Sequence, residues 1–588
     1  MPLRTLFVVA VLVVSAPALR QPAALNDRGT PSKEGLVVCA SAPACDAGAS
    51  MLARGGNAVD AAVATAFALA VTLPSAGNIG GGGFMVVRTP AGDVTTFDYR
   101  ERAPLKSVKT MYLGQDGEID RSLTNAGYLA PGVPGTVRGL ALAHRRFGKL
   151  PWQDVVMPAV ALAEGGFIVS ASLARGLNAQ LEGVMGRFPA SVAAYGKPGG
   201  SKWTEGDRIV LGELGRTLRA IATDGPDAFY TGWIADRVAE DMKANGGIIG
   251  KDDLAAYQAK ERPPVRGTYR GFEVISMAPP SSGGVALIEM LNILERFDLR
   301  AHEPLTAPSI HLRIEAMRRA YLDRARHLGD PDFVQVPVEQ LTSKPYARAV
   351  AASIDRARAS RSLDLGRDIV TAATAQEPEE TTHFSVLDRD GLAVANTYTL
   401  EGGYGSRVVV KGAGFLLNNE MGDFNRKPDD TNASGDIGTP ANQIAPGKRM
   451  LSSMTPTMIV RDGKVVLITG SPGGRTIINT VLAVVLGVVE YGYSGREAVD
   501  APRIHHQWLP DTVTIEEGGV PEPVVSALRT MGHEVSFRDQ QGDAHTIWVA
   551  PDGMPFGAND RRSADSKVSV PDVRLQADDR LTVHRPGR

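Results

Sequence analysis

The sequence predicts an α+β fold with a layered core, and three observations carry that reading. Residues 35–90 read as strand, helix, helix, glycine-rich turn and strand. Residues 125–260 are dominated by 3.6-residue spacing, as in "PGVPGTVRGLALAHRRFG" and "VVMPAVALAEGGF". After residue 381 the texture turns to short β-rich runs punctuated by turn sequences. Helices and antiparallel pairs that keep to separate blocks favour α+β over alternating βαβ units.

The elements follow in order. "MPLRTLFVVAVLVVSAPAL" carries Arg4, an apolar run and Ala16-Pro17-Ala18, which reads as a secretory signal removed after Ala18, too short to span a bilayer. Export to the periplasm or medium is therefore expected. Cys39 and Cys45 are the only cysteines, and their spacing leaves open whether they are two free, buried thiols or a disulfide. "AVDAAVATAFALAVTLP" (Ala58 to Pro74) is Ala-rich, contains Asp60 and reads as a buried core helix. "GNIGGGGFMVV" precedes a strand and lacks an acidic ribose ligand, so it reads as tightly packed backbone, not a nucleotide loop. Residues 269–297 read as strand, turn and a helix opening at Gly283-Gly284, and residues 307–363 as Arg-rich helix. Residues 364–380 are polar, acidic and unpatterned, a break inside one domain. Three β segments follow: the hairpin in "TTHFSVLDRDGLAVANTYTL", then "RVVVKGAGFLLNN" and "PTMIVRDGKVVLITG". A long apolar helix, "TIINTVLAVVLGVVEYG", comes next.

Composition bounds function. With 588 residues, 43% hydrophobic, 22% charged and a net charge of −2, the chain has a large core and no basic field for nucleic acid or anionic lipid. HExxH, paired CxxC and P-loop motifs are missing, and the adjacent histidines of "IHHQW" would face opposite ways in an extended strand, poor geometry for a metal.

The hairpin carries the chemistry. Its turn lies at Asp388 to Gly391, and counting outward places Thr399 opposite, or one residue off, Thr381-Thr382. Taken alone, two threonines at a strand start need only β-propensity. "LITGSPGGRTIINTV" adds a glycine-rich turn before a helix, so the N–H groups of Gly473 and Gly474 are candidate oxyanion donors. "RMLSSMTP" places Ser452 and Ser453 as short hydroxyl donors. A threonine hydroxyl needs a base, and no histidine stands at triad-like spacing. Cleavage at Glu380–Thr381 would supply one, because a new α-amino group has an unperturbed pKa of about 7.7–8.0.

In this order "TTHFSV…TYTLEGGYG", "GFLLNNEMGDF", "LSSMTPTMIV" and "GSPGG" resemble the γ-glutamyltransferase (γ-glutamyltranspeptidase) family of N-terminal nucleophile hydrolases. "FDYRERAP", "NAVDAAVATAFALAVTLPSAGNIGGGGF" and "PPSSGG" resemble that family's large subunit. The resemblance implies a four-layer αββα sandwich and self-cleavage into a large subunit (19–380) and a small one (381–588) that stay together as a heterodimer. It also implies hydrolysis or transfer of γ-glutamyl groups from glutathione and related small molecules, with no metal or cofactor. Position by position, Thr381 matches the nucleophile, Thr399 its positioning hydroxyl, and Gly473 and Gly474 the oxyanion donors. Arg100 matches the arginine on the substrate α-carboxylate, Ser452 and Ser453 further carboxylate contacts, and Glu401, Glu420 and Asp423 the groups around the α-ammonium. Position 401 is Glu where many members carry Asn. Residues 425–449 have the length of the family's lid loop, whose tip "TNAS" lacks the tyrosine some members use as a gate. Two alternatives remain: a glutaryl-type (cephalosporin) acylase of the same fold, and an unprocessed binding protein for γ-glutamyl compounds.

Overall fold

The computed structural model describes residues 27–370 and 381–572. The signal segment 1–18 and Glu380 lie outside the described residues.

Two seven-stranded antiparallel sheets form the centre. One runs Lys567–Ser569, Gly35–Cys39, Thr382–Asp388, Ala393–Thr399, Gly82–Arg88, Val94–Asp98 and Lys260–Arg262. The other places Lys464–Thr469 and Thr457–Arg461 beside Phe272–Ser276 and Val265–Tyr269, with Thr546–Val549, Pro555–Ala558 and Thr30–Pro31 on the far side. Alternation along each strand sorts side chains between layers. Leu36, Val38 and Leu387 meet Ile275, Met458 and Ile468 between the sheets, while Val37, Cys39 and Val386 face helices. The helices Ala42–Ala53 and Ala58–Thr72 cover the first sheet, and Gly283–Leu294 and Ile477–Val489 cover the second. This is the αββα sandwich. Each sheet mixes strands from both sides of residues 371–380, so the two halves of the chain share one core.

The helix Ala58–Thr72 is buried along its whole length. Asn57 caps it in a reciprocal box with Asp60, and Asp388 of the hairpin accepts from Ala58 N (3.0 Å), tying the helix start to the central strands.

One open question closes and one sequence reading changes. Cys39 and Cys45 form a disulfide: the chain turns directly from the strand ending at Cys39 into the helix Ala42–Ala53, which brings their Cα atoms to 5.7 Å. The segment 407–419, read as strand, is buried but irregular, with one bridge between Val409 and Leu416. Gly412 and Gly414 take φ of 78° and 75°, which folds "KGAG" into a tight reversal.

Candidate active site

The hairpin register decides where the threonines meet. Thr382 pairs with Tyr398, so Thr381 stands one step on, opposite Thr399, with their Oγ1 atoms 3.3 Å apart. The turn is a three-residue loop, Arg389 to Gly391, closed by Asp388 N to Leu392 O (3.1 Å), with Gly391 at φ 90°. Thr399 is fixed from two sides. Its Oγ1 accepts from Glu401 N (2.8 Å), and its carbonyl accepts from Asn78 Nδ2 (2.8 Å). Glu401 itself sits at φ 77°, an unusual conformation for a side-chain-bearing residue, held by that bond and by Asn419 Nδ2 to its carboxylate. The glycine-rich segment allows the approach: a Cβ on Gly81 would lie 2.1 Å from Thr399 O, and one on Gly80 2.1 Å from Leu416 O. The packing reading of that segment holds.

One cavity collects Arg100, Thr381, Thr399, Glu401, Glu420, Asp423, Ser452, Ser453 and Gly474. Gly473 lines an adjoining cavity, which Thr381 also borders. Gly473 and Gly474 take φ of 126° and 53° ahead of the turn Gly474–Thr476 and the helix Ile477–Val489. Among the described residues neither of their N–H groups has a protein acceptor. These are oriented backbone dipoles at a helix start.

Arg100 is almost wholly buried and pairs with Glu420 and Asp423, with Glu101 3.6 Å away. Its Nε and Nη2 also reach Met450 O (3.3 Å) and Leu451 O (3.2 Å). Burial works against its charge, but Glu420, Asp423 and Glu101 outweigh burial and raise its pKa. Burial pushes the Glu420 carboxyl well above the ordinary range, opposed by Arg100 and reinforced by Glu101, Asp423 and Glu401. Burial likewise pushes Glu101 up to about 7, against the pull of Arg100. Three carboxyls, Glu101, Glu420 and Asp423, gather around this one guanidinium, and Glu401 lines the same cavity, so acidic groups are concentrated at this end of it, where an ammonium can be received.

The serines are oriented from behind. Ser452 Oγ accepts from Met454 N (3.1 Å), and Ser453 Oγ accepts from Arg324 Nη2 (3.0 Å). Each oxygen accepts one bond from the protein, and each hydroxyl keeps its O–H to donate. Sequence reasoning missed Arg324, Glu101 and Asn78. One signal for Arg324 was available: the helix Ala307–His327 is rich in arginine yet buried on most faces, and buried arginines are rare without a task. The flanks of the 425–449 loop line the cavity through Arg426, Lys427, Asp430 and Asp436. Its tip does not line it. Asn432 bonds back to Ser434 and Asp436, and Gly435 O accepts from Arg475 beside Gly474 (2.9 Å).

Elsewhere His311, Glu315 and His533 cluster within 4.8 Å. Most of their atoms are engaged by the protein, His533 Nδ1 excepted: the two rings bond each other (2.8 Å), and Glu315 bonds Arg318 and Arg319. His505 and His506 of "IHHQW" likewise bond Asn479, Gln507 and Asp511.

The chain is similar to known proteins over most of its length. A family model described as gamma-glutamyltranspeptidase matches residues 44–570. A glutathione hydrolase proenzyme of Escherichia coli is 46% identical over 536 residues, covering 91% of each chain. The crystal structure of Helicobacter pylori gamma-glutamyltranspeptidase is 44% identical with a TM-score of 0.54, covering 55% of this chain and 93% of that one. The crystal structure of a cephalosporin acylase from Bacillus halodurans superposes with a TM-score of 0.80 over 95% of this chain and 99% of that one, at 26% identity.

Proposed function

The chain belongs to the gamma-glutamyltranspeptidase family, and from that premise we propose which residues run its reaction and how the precursor matures. The protein is an enzyme, a γ-glutamyltransferase and glutathione hydrolase. The observation that carries the assignment of residues is the placement of Thr381 opposite Thr399, in one cavity with the Arg100–Glu420–Asp423 cluster.

The precursor is exported with loss of residues 1–18, and among the described residues no helix is long and apolar enough to cross a membrane. Thr381 Oγ attacks the Glu380 carbonyl, the peptide becomes an ester, and water cleaves it to a Glu380 carboxylate and a free Thr381 amine. Large and small subunits, 19–380 and 381–588, remain joined through the shared sheets. The new amine then takes the Thr381 Oγ proton as that oxygen attacks the γ-carbonyl of a donor. Gly473 and Gly474 N–H groups stabilise the oxyanion, the amine product leaves with the proton, and a γ-glutamyl ester remains on Thr381. Water or an amine acceptor completes the cycle. Arg100 grips the donor α-carboxylate with Ser452 and Ser453, Arg324 holding the latter in place. Glu401, Glu420 and Asp423 receive the α-ammonium.

The ammonium contacts separate this reading from the acylase of the same fold, because a glutaryl group carries the carboxylate and lacks the ammonium. Hydrolysis of γ-glutamyl-p-nitroanilide and glutaryl-p-nitroanilide, measured side by side, tests it. The γ-glutamyl compound is expected to win in kcat/KM by at least about tenfold, the worth of one charge-assisted bond. A preference for the glutaryl compound would make the protein an acylase.

Recognition also carries a pH signature. As pH falls through about 7, Glu101 takes up a proton, the cluster loses negative charge, and the donor ammonium is held less tightly. KM for a γ-glutamyl anilide is expected to rise roughly fivefold between about pH 8 and about pH 6, corresponding to about 1 kcal/mol for one screened charge. In Glu101→Gln the site stays in its weakly charged form, so KM is high throughout and loses the part of its pH dependence that Glu101 supplies, keeping only that of the Thr381 amine. A wild-type KM that does not vary over that range removes Glu101 from recognition.

A further inference from the structure

The helix Ala307–His327 buries three arginines, Arg313, Arg318 and Arg319, and two of them are paired. Arg318 bonds Glu315 (3.2 Å), Ser362 and Asp511, and Arg319 bonds Glu315 (2.5 Å), Ser353 (3.0 Å) and Ser360 (3.2 Å). Arg313 is only 4% exposed, and among the described residues it makes no hydrogen bond or ion pair. Its Nε is enclosed without an acceptor. Burial lowers its pKa, opposed by the phenols of Tyr491 and Tyr493, and among the described residues no carboxylate balances the charge. A guanidinium withdrawn from water without counter-charge or acceptor is costly, so the arrangement calls for a partner from outside the chain.

The surroundings say what that partner is. Ser309 stands one turn before Arg313 on the same helix face, and its hydroxyl bonds Tyr491 OH (2.9 Å). Tyr491 and Tyr493 are half-buried, with ring centres 6.2 Å apart, on the loop that follows the helix Ile477–Val489. Glu490, beside Tyr491 in the chain, is already taken by Tyr269 (2.6 Å), Arg270 (3.0 Å) and Arg300 (3.5 Å). Burial raises the pKa of Tyr493, so its phenol keeps a proton to donate. A guanidinium fork with phenol donors beside it matches the oxygens of a small oxyanion. Glu303 and Glu497 act on Tyr493 from nearby, which disfavours a polyanion spread over the surface. Neither Arg313 nor the tyrosines line the cavity of Thr381. At 1.5 Å per residue Arg313 lies about 16 Å along its helix from Arg324.

We propose that Arg313, with Tyr491 and Tyr493, forms an anion site outside the catalytic cavity that takes one small oxyanion: phosphate, sulfate or a simple carboxylate. The anion supplies the counter-charge and the acceptors that the chain does not. It joins the N-terminal half of the helix Ala307–His327 to the loop closing the helix Ile477–Val489. The other ends of these two helices carry Arg324 and follow Gly474, so the site braces the layer behind the catalytic groups. The proposal is independent of the γ-glutamyl reading.

Calorimetric titration of the mature protein with inorganic phosphate, sulfate and acetate tests it, with sodium chloride holding ionic strength constant. Arg313→Met removes the charge at similar length, and Arg313→Lys keeps the charge and loses the fork. Arg100 is intact in both, so any anion it draws into the catalytic cavity is common to all three proteins. The wild-type protein is expected to bind at least one of the anions with a Kd below about 10 mM. Binding is expected to weaken at least about tenfold in Arg313→Met and at least about threefold in Arg313→Lys. In step, the melting midpoint of the wild type should rise with that anion and level off at saturation, and that of Arg313→Met should not. Which anion binds tells a tetrahedral oxyanion from a carboxylate. A wild-type protein with no saturable binding would overturn the proposal whatever the variants do, and so would binding that either variant leaves unchanged.

Discussion

Thr381→Ala is expected to run as one uncleaved chain on a denaturing gel and to show no turnover of any γ-glutamyl donor. Both losses follow from a single atom. The Oγ of Thr381 is the nucleophile toward the Glu380 carbonyl during maturation and toward the donor afterwards. Without cleavage no α-amine forms, so the base is lost together with the nucleophile. Thr381→Ser separates the requirements: it keeps a hydroxyl, so cleavage proceeds, and it lacks the methyl that restricts χ1, so both steps are expected to slow by roughly tenfold or more. Efficient cleavage of the alanine variant would show that another group cuts the chain.

Arg100→Lys is the second large effect. The guanidinium reaches Glu420, Asp423, Met450 O and Leu451 O at once, a spread that a single ammonium cannot span. Lysine retains the charge that offsets the buried carboxyls, so the fold and the cleavage at Thr381 are expected to survive. The guanidinium N–H left for the donor carboxylate, and the plane that aims it, are lost. Bonds of this kind are worth about 1.5–3 kcal/mol, so KM for a γ-glutamyl anilide is expected to rise by about 10- to 100-fold with a smaller change in kcat. Unchanged kinetics would exclude Arg100 from the site.

Much of this site was legible in the sequence because it is local. "DRDG" and the alternation on either side narrow the hairpin register to within one residue, and the three-residue loop in the structure settles it with Thr381 opposite Thr399. The run of glycines at 80–83 announces backbone contact, and "SPGG" before an apolar helix announces exposed N–H groups. The four-layer arrangement was less visible, since its layers interleave strands hundreds of residues apart, such as Thr382–Asp388 against Gly35–Cys39; there the family resemblance supplied what periodicity could not. Three features escaped because tertiary geometry sets them. The Cys39–Cys45 approach depends on the turn at Ser41 into a helix. The irregular path of 407–419 depends on left-handed glycines inside a β-rich composition. Arg324, Glu101 and Asn78 reach the site from segments whose local pattern reads only as helix, strand end and turn.

The central claim is that one residue, once exposed by cleavage, carries both nucleophile and base. Intact-mass analysis of the purified wild-type protein, before and after brief mixing with a γ-glutamyl donor, tests it most directly. Two chains are expected, about 22 kDa for residues 381–588 (208 of the 588) and about 38 kDa for residues 19–380, by share of the 62.3 kDa whole. The smaller chain should begin at Thr381 and, after mixing, should carry one γ-glutamyl group on that residue. An intact chain that turns over the donor, or a γ-glutamyl group on any other residue, would contradict the account.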